Sequence, residues 1–423
     1  MHNSKMLNTA VPILIFFLLF QSYFSTFPVS AVSKIFGLYD ELFTIAIGLL
    51  SVLVLLKSKT KRCDYRELKL LILLQSIGLI GHLVYHLQPN KVILGDLLST
   101  SKFVLVFWGT LILFRHLSLE VILQRSASLA KVLTIVLFFS SFSTLIGFPR
   151  SFLSLELRMG RHPFQFVFFH PAMLAMVSMI LLGILVLTSD SLQRNRLYIY
   201  LILMPLCLTL RSKSFGIVLL FLAGYWYLKS GIKLKKSALF LIVAVTLMGI
   251  MLLIQTTGSF EKYYGEDSDS ARQIMTEDSV ELAKEAFPIG MGLGTFGTHS
   301  ARVNYSPIYL MNGYRSIYGL GYVHESFLTD TFWPIILGQY GVLGLLSFLG
   351  IIVSLATRGL QLMKVNRGYA LAYLVLLGHL LISSTSASSF FNSMSLGYAL
   401  VMAFAVKLGA DEINKQSKEQ NIK

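Results

Sequence analysis

Residues 196–229 read RLYIYLILMPLCLTLRSKSFGIVLLFLAGYWYLK, two apolar runs separated by the polar tetrad Arg211-Ser212-Lys213-Ser214. A helix that crosses the hydrocarbon core of a bilayer needs about 20 mostly apolar residues, and each run approaches that length. The stretch therefore predicts a pair of membrane helices joined by a charged turn. Because a helix of about 16 residues is only about 24 Å long, we expect this turn to lie below the membrane surface.

The rest of the chain has the same character. Hydrophobic residues make up 55% of its 423 positions and charged residues only 13%, which excludes an ordinary soluble protein of this size. Cys63 and Cys207 form no pair motif, so neither a disulfide framework nor a metal site is predicted. The apolar runs predict an all-α polytopic membrane protein with about twelve transmembrane helices. These spans are 8–28, 37–56, 68–88, 92–114, 129–148, 165–187, 196–211, 214–229, 237–255, 334–356, 369–387 and 390–408.

Basic residues determine the predicted orientation. The cytoplasmic ends of membrane spans are enriched in Lys and Arg, and the segments 57–69 and 229–236 are rich in both. Both termini are therefore expected in the cytoplasm, and the net charge of +15 needs no nucleic acid to explain it. The predicted organisation is a membrane domain at 1–255 with about nine helices, a large extracytoplasmic loop at 256–333, membrane helices at 334–408 and a cytoplasmic tail at 409–423.

The large loop contains GMGLGTFG at 290–297, which includes the G-x-G-x-x-G spacing of dinucleotide-binding turns. That spacing has a physical meaning only where a strand ends and a helix begins. Here it follows a predicted amphipathic helix within 261–286, in which Ile274, Val280 and Ala283 fall near one face with Phe287. We interpret the run as a glycine-rich turn, and no cofactor is predicted.

Charged residues on the predicted outer side are the candidates for function, because charge close to a bilayer is costly unless it is paired or hydrated. Arginine binds phosphate through two parallel hydrogen bonds, so a group of external arginines suits a lipid-linked phosphate or pyrophosphate. The alternative for each is a side chain that reaches a lipid headgroup or pairs with an acid of the loop. The external set is Arg150, Arg158, Arg161, Arg211, Lys213, Arg272, Arg302 and Arg315.

Two residues before the span at 334–356 are candidates for acid–base chemistry. His324 or Asp330 could accept a proton from a sugar hydroxyl, or Asp330 could instead cap the helix that follows. His170 is either a packed residue at a Pro-bent helix start or a ligand-binding group. Lys102 either neutralises a buried acid other than Asp96 or reaches the substrate cavity.

Five tyrosines recur every four or five residues within the large loop. Tyr combines an apolar ring with a polar tip, so the pattern is typical of a membrane interface and also of a sugar-binding surface. The five are Tyr305, Tyr309, Tyr314, Tyr318 and Tyr322.

The order of these elements resembles the bacterial O-antigen polymerase and ligase family, which includes capsule and exopolysaccharide polymerases. The resemblance rests on the large loop with FPIGMGLGTFG, on TDTFWPIILGQYGVLG after it, on the turn LTLRSKSFGIVLLFLAG, and on FQFVFFHPAMLA. Counting back from Gly341 and Gly344, Asp330 occupies the position at which the ligase branch has a histidine. The chain is therefore more similar to the repeat-unit polymerases.

The resemblance implies transfer of a glycan from a polyprenyl pyrophosphate to a sugar hydroxyl on the outer face of the bacterial cytoplasmic membrane. It implies pyrophosphate binding by Arg211 with Arg158 or Arg161, and activation of the acceptor by His324 or Asp330. Lys213, Arg272 and Arg302 are further candidates for substrate binding. A flippase and a chain-length regulator are implied partners. The alternatives are a glycan ligase, or a secondary transporter or lipid-glycan flippase.

Overall fold

The computed structural model describes residues 2–57, 65–189, 194–230 and 271–422, and within them the chain is an all-α membrane protein. These residues contain no β-strand beyond two isolated bridges. The longer helices are α1 (His2–Leu19), α4 (Tyr39–Lys57), α5 (Arg66–Tyr85), α6 (Asn90–Leu113), α7 (Glu120–Ser141), α9 (Pro171–Leu187), α10 (Arg196–Leu208), α11 (Ser212–Ser230), α12 (Ala271–Glu285), α15 (Trp333–Leu362), α16 (Arg367–Ser384) and α17 (Ser395–Ile422). The shorter ones are α2 (Gln21–Phe24), α3 (Ser30–Gly37), α8 (Ser143–Ile146), α13 (His299–Val303) and α14 (Pro307–Met311).

Within the described part of the chain, six helices are long and apolar enough to cross a membrane. They are Tyr39–Lys57, Arg66–Tyr85, Asn90–Leu113, Glu120–Ile146, Trp333–Leu362 and Arg367–Ser384, and four shorter apolar helices are Leu7–Leu19, Pro171–Leu187, Arg196–Leu208 and Ser212–Leu228. The stretch 196–229 forms two helices with a break at residues 209–211, as its sequence predicts. The predicted span 8–28 is too long, because α1 ends at Leu19. The predicted span 237–255 and the loop residues 256–270 lie outside the described residues.

Helix α9 occupies the centre of the bundle. Every residue from Leu174 to Leu187 is buried, which is the expected position for a helix that is apolar on all sides. Its N-terminus begins at Pro171, and the His170 ring nitrogen Nδ1 accepts the backbone N–H of Ala172 at 3.2 Å. His170 therefore caps the start of α9, but it is exposed rather than packed as that interpretation expects.

The described part of the large loop, 271–332, has a hydrophobic core of its own. Met275 and Leu282 on α12 pack in one cluster with Tyr309, Tyr314 and Phe296. The buried face of α12 differs from the predicted one, since Val280 is 40% exposed and Phe287 is 70% exposed. The helix lies against α15, so the face with Met275, Ser279 and Leu282 is the one that leaves solvent.

The glycine run 290–297 packs directly between membrane helices. Gly292 N donates to the Gln339 carbonyl at 2.9 Å, and Leu293 N donates to the Gly78 carbonyl at 3.3 Å. Gly341, inside α15, has φ 62° and ψ −161°, which breaks the helix where the run meets it. A Cβ on Gly292 would lie 2.4 Å from the His82 backbone nitrogen. The glycines therefore permit a loop backbone to touch a helix backbone, the same close approach that a dinucleotide turn requires.

Replacing Gly292 with alanine is expected to lower stability by about 2–5 kcal/mol, since positive φ and overlap with a neighbouring backbone both oppose a Cβ. Gly313 is a matched control. It also has a positive φ of 70°, but a Cβ there would meet nothing within 4 Å. Thermal unfolding in detergent should show a much larger fall in Tm for Gly292→Ala than for Gly313→Ala. Equal falls would contradict the close-approach explanation.

Two buried ion pairs connect the membrane helices. Lys102 Nζ on α6 lies 2.5 Å from Asp40 Oδ2 on α4, and the Gln21 amide also donates to Asp40 at 2.7 Å. Lys102 thus neutralises an acid other than Asp96, which confirms one of the two predicted alternatives. Arg358 of α15 makes two hydrogen bonds, of 2.6 and 2.9 Å, to Glu67 of α5.

Candidate functional site

Four cations from three separate parts of the chain act on one another near the ends of several membrane helices. Arg211 lies in the turn between α10 and α11, Lys213 lies in the first turn of α11, and Arg272 lies at the start of α12. Arg158 belongs to the connection before α9, and its charge acts on Arg211 together with that of Arg272. We call Arg158, Arg211, Lys213 and Arg272 the cation cluster.

Two carboxylates accompany the cation cluster. Arg158 Nη2 lies 2.9 Å from Glu156 Oε2, and this hydrogen bond holds the pKa of Glu156 below its usual value. Arg272 Nη2 lies 3.0 Å from Asp330 Oδ2. Among the described residues, four positive charges therefore face two negative ones.

Lys213 connects the cluster to the end of α16. Its ammonium donates to Thr385 Oγ1 at 2.6 Å and also to the Ser386 hydroxyl. The Trp333 indole at the start of α15 donates to Ser384 at 3.1 Å, one residue away. The turn at Arg211, the start of α15 and the end of α16 therefore meet at one end of the helical bundle.

Arg211 differs from the other cations. Its Nη1 is buried and has no hydrogen-bond partner among the described residues, within which its side chain also forms no ion pair. The carboxylates of Asp330 and Glu156 act on it only through space, against the like charges of Arg158 and Arg272. A buried guanidinium nitrogen without an acceptor is costly, and an anion bound in the cluster would supply that acceptor.

Asp330 does not cap α15. The N-cap of that helix is Phe332, which provides no side-chain hydrogen bond, so the capping interpretation is wrong. Burial raises the pKa of the Asp330 carboxyl, and the charges of Arg272, Arg211 and Lys213 oppose that rise. A carboxylate with a raised pKa is a better proton acceptor than an ordinary aspartate.

The side chains of three residues predicted for the site have other neighbours, although the backbone of one of them, Arg161, is hydrogen-bonded to that of Arg158. Arg161 Nη1 lies 3.4 Å from the Leu145 carbonyl, and Arg302 Nη2 lies 3.3 Å from His299 Nδ1. The His324 ring is exposed, with its centroid 5.5 Å from that of Tyr318. Loop folding, which spacing along the chain does not show, decides which external side chains meet.

The five tyrosines of the large loop fall into a buried group and an exposed group. Tyr305, Tyr309 and Tyr314 are buried in the loop core, where the Tyr314 hydroxyl donates to Asp278 at 2.6 Å. Tyr318 and Tyr322 are exposed by 74% and 55%. The first three therefore stabilise the loop, and only the last two fit an interfacial or sugar-binding pattern.

One polar pair beneath the cluster was not predicted. His379 of α16 is buried, and its Nδ1 lies 2.5 Å from the Tyr398 hydroxyl of α17. The charges of Lys213 and Arg211 act on this histidine. A histidine within an apolar span was the signal that could have identified it.

The site contains the cation cluster, a carboxylate suited to accept a proton, and hydroxyl groups at the end of α16. That combination can bind a phosphorylated anion and assist transfer of a group from it. No protein-family model matches the chain, and no curated protein sequence matches it significantly.

Proposed function

We propose that the chain is a polysaccharide polymerase of the O-antigen polymerase and ligase family, which joins polyprenyl-pyrophosphate-linked oligosaccharide units into a surface polysaccharide. The observation that carries the proposal is the buried Nη1 of Arg211, which has no hydrogen-bond partner and lies in the field of other cations within the described part of the chain. A pyrophosphate has several acceptor oxygens and multiple negative charges, so it would satisfy both features.

In the proposed reaction, the acceptor sugar hydroxyl attacks the anomeric carbon of the donor. The bond between that carbon and the pyrophosphate oxygen breaks, and the oxygen keeps the electron pair. Arg211, Lys213 and Arg158 stabilise the charge that develops on the leaving pyrophosphate. Asp330, held by Arg272, receives the proton of the acceptor hydroxyl.

The number of membrane spans and their orientation are part of the same proposal. We place about twelve spans in the bacterial cytoplasmic membrane, with both termini in the cytoplasm and the cation cluster on the outer side. The basic segments 57–69 and 229–236 support this orientation. The donor is a lipid, and a flippase and a chain-length regulator are the partners that such a polymerase would need.

The test uses purified chain in nanodiscs with lipid-linked repeat units and no nucleotide. A ladder of products of increasing length on a gel is the expected result. Unchanged donor would contradict polymerisation, and transfer to a finished lipid or protein acceptor, or flipping of the donor, would then identify a ligase or a transporter.

The pH dependence should identify the base. Lowering the pH protonates Asp330, so polymerisation should fall as the pH drops through a pKa above the usual aspartate value. Arg272 opposes the rise of the Asp330 pKa. Arg272→Met should therefore raise that pKa further and move the acidic limb of the pH–rate profile to higher pH. Rates measured from pH 4 to 8 should show that shift, whereas His324→Ala should keep the wild-type limb. An unshifted limb in Arg272→Met would exclude Asp330 as the base.

A further inference from the structure

The connection before α9 folds as a short hairpin with an apolar edge. Isolated bridges join Leu153 to Phe164 and Arg158 to Arg161, and we call residues 153–164 the hairpin. The Phe164 amide donates to the Leu208 carbonyl at 2.9 Å, so the base of the hairpin is fixed to the end of α10. The cation cluster begins only three residues beyond that point, at Arg211.

The outward arm of the hairpin alternates apolar and charged side chains. Leu155 and Leu157 are exposed by 96% and 66%, and Met159 at the tip is exposed by 60%. Between them stand Glu156 and Arg158, both of which act electrostatically on Arg211. Exposed apolar side chains and the two charges that act on Arg211 therefore occupy adjacent positions of the same arm.

The returning arm of the hairpin lies close to exposed apolar residues at the end of a candidate membrane span. The tip of the hairpin approaches α8, where Arg161 lies 3.4 Å from the Leu145 carbonyl. Ile146 and Phe148 next to it are exposed by 74% and 73%. Below them, the candidate membrane span Glu120–Ile146 exposes Phe139 by 67%. The hairpin therefore lies next to the end of a helix that is apolar enough to cross a membrane.

We infer that Leu155, Leu157 and Met159 bind the hydrocarbon chain of the phosphorylated lipid whose headgroup occupies the cation cluster. A single lipid molecule has a charged head joined to an apolar chain, and the arm has exposed apolar side chains within a few residues of the charges of the cation cluster. The hairpin thus guides the lipid laterally from the bilayer to Arg211. This inference rests on the proposed lipid-linked donor.

The experiment measures contact with the chain in the full-length protein. Leu155→Cys, in a background with Cys63→Ser and Cys207→Ser, carries an environment-sensitive NBD fluorophore in phosphatidylcholine nanodiscs. Long-chain polyprenyl pyrophosphate should shift the emission to shorter wavelength and increase it. Farnesyl pyrophosphate, which has the same headgroup and a short chain, should produce a much smaller change, and phosphatidic acid none.

Two results would overturn the inference. A fluorophore already in an apolar environment that responds to no added lipid would show that ordinary bilayer lipids cover the edge. An equal response to phosphatidic acid would show that the edge does not distinguish the polyprenyl chain.

A paired variant tests the contribution to binding. Removing two leucine side chains from an apolar contact weakens that contact, so Leu155→Ser/Leu157→Ser should raise the half-saturating polyprenyl pyrophosphate concentration about ten-fold or more. Binding of farnesyl pyrophosphate should change little. The control is Met311→Ser/Val323→Ser, which removes apolar side chains exposed by 75% and 86% on the large loop.

These measurements separate the inference from the proposed function because they use no acceptor sugar. Chain-dependent binding without any polymer would retain the hairpin's role and reject the polymerase. Polymer formation with a wild-type KM in the Leu155→Ser/Leu157→Ser variant would retain the polymerase and reject the hairpin's role.

Discussion

Replacing Arg211 with alanine is expected to reduce polymerisation about 10²–10³-fold, the usual loss when one group that stabilises transition-state charge is removed. The variant should insert and unfold like the wild type, because the Arg211 side chain forms no hydrogen bond or ion pair within the described residues. Relief of repulsion among the cations should even raise its Tm slightly. Initial rates of ladder formation, at matched protein levels, measure the effect.

Two controls make this result specific. Arg150→Ala removes an arginine that precedes the hairpin and is exposed, so its rate should stay close to that of the wild type. Arg211→Lys keeps the charge but loses the planar fork that binds two phosphate oxygens, so partial recovery is expected. Full activity in Arg211→Ala would remove Arg211 from the mechanism.

Replacing Lys102 with methionine is expected to have the largest effect on stability. It leaves Asp40 as a buried carboxylate without its cation, and breaking one side of a buried pair typically costs 3–5 kcal/mol, so a loss of about that size should appear as a lower Tm. The side chains of both residues are only 5% exposed, so water cannot replace the lost ammonium.

The double variant Asp40→Asn/Lys102→Met is the control for this pair. It removes both charges together, and the Gln21 amide can still donate to the asparagine oxygen. Its Tm should recover most of the loss. A double variant as unstable as Lys102→Met would show that the lysine stem, rather than the charge pair, holds α4 and α6 together.

The sequence was sufficient for the features that depend on neighbouring residues. The turn at Arg211 follows from two apolar runs and a polar tetrad, and the pairing of Lys102 with an acid follows from the cost of a charge in an apolar span. The meeting of Arg272 with Asp330 could not be predicted, because it depends on how the loop folds over a separation of 58 residues.

The glycine run shows a different limit. The spacing of its glycines indicates that the backbone at Gly292 lies very close to another group. A pyrophosphate and a helix backbone both require a residue without a Cβ there, so the spacing does not distinguish them. The exposed face of α12 was misassigned for a related reason. Val280 and Met275 are both apolar, and only the position of α15 determines which of them leaves solvent.

The break at Gly341 also means that the large loop is not a separable module. The Gly338 and Gln339 carbonyls of α15 accept the backbone N–H groups of Met291 and Gly292, and the Pro288 carbonyl accepts that of Leu343. Each partner therefore completes the other's backbone hydrogen bonding, as neighbouring strands do in a sheet. Segment 271–332 expressed alone would lose these hydrogen-bond partners. A loop transferred into another protein would need the matching part of α15 to restore them.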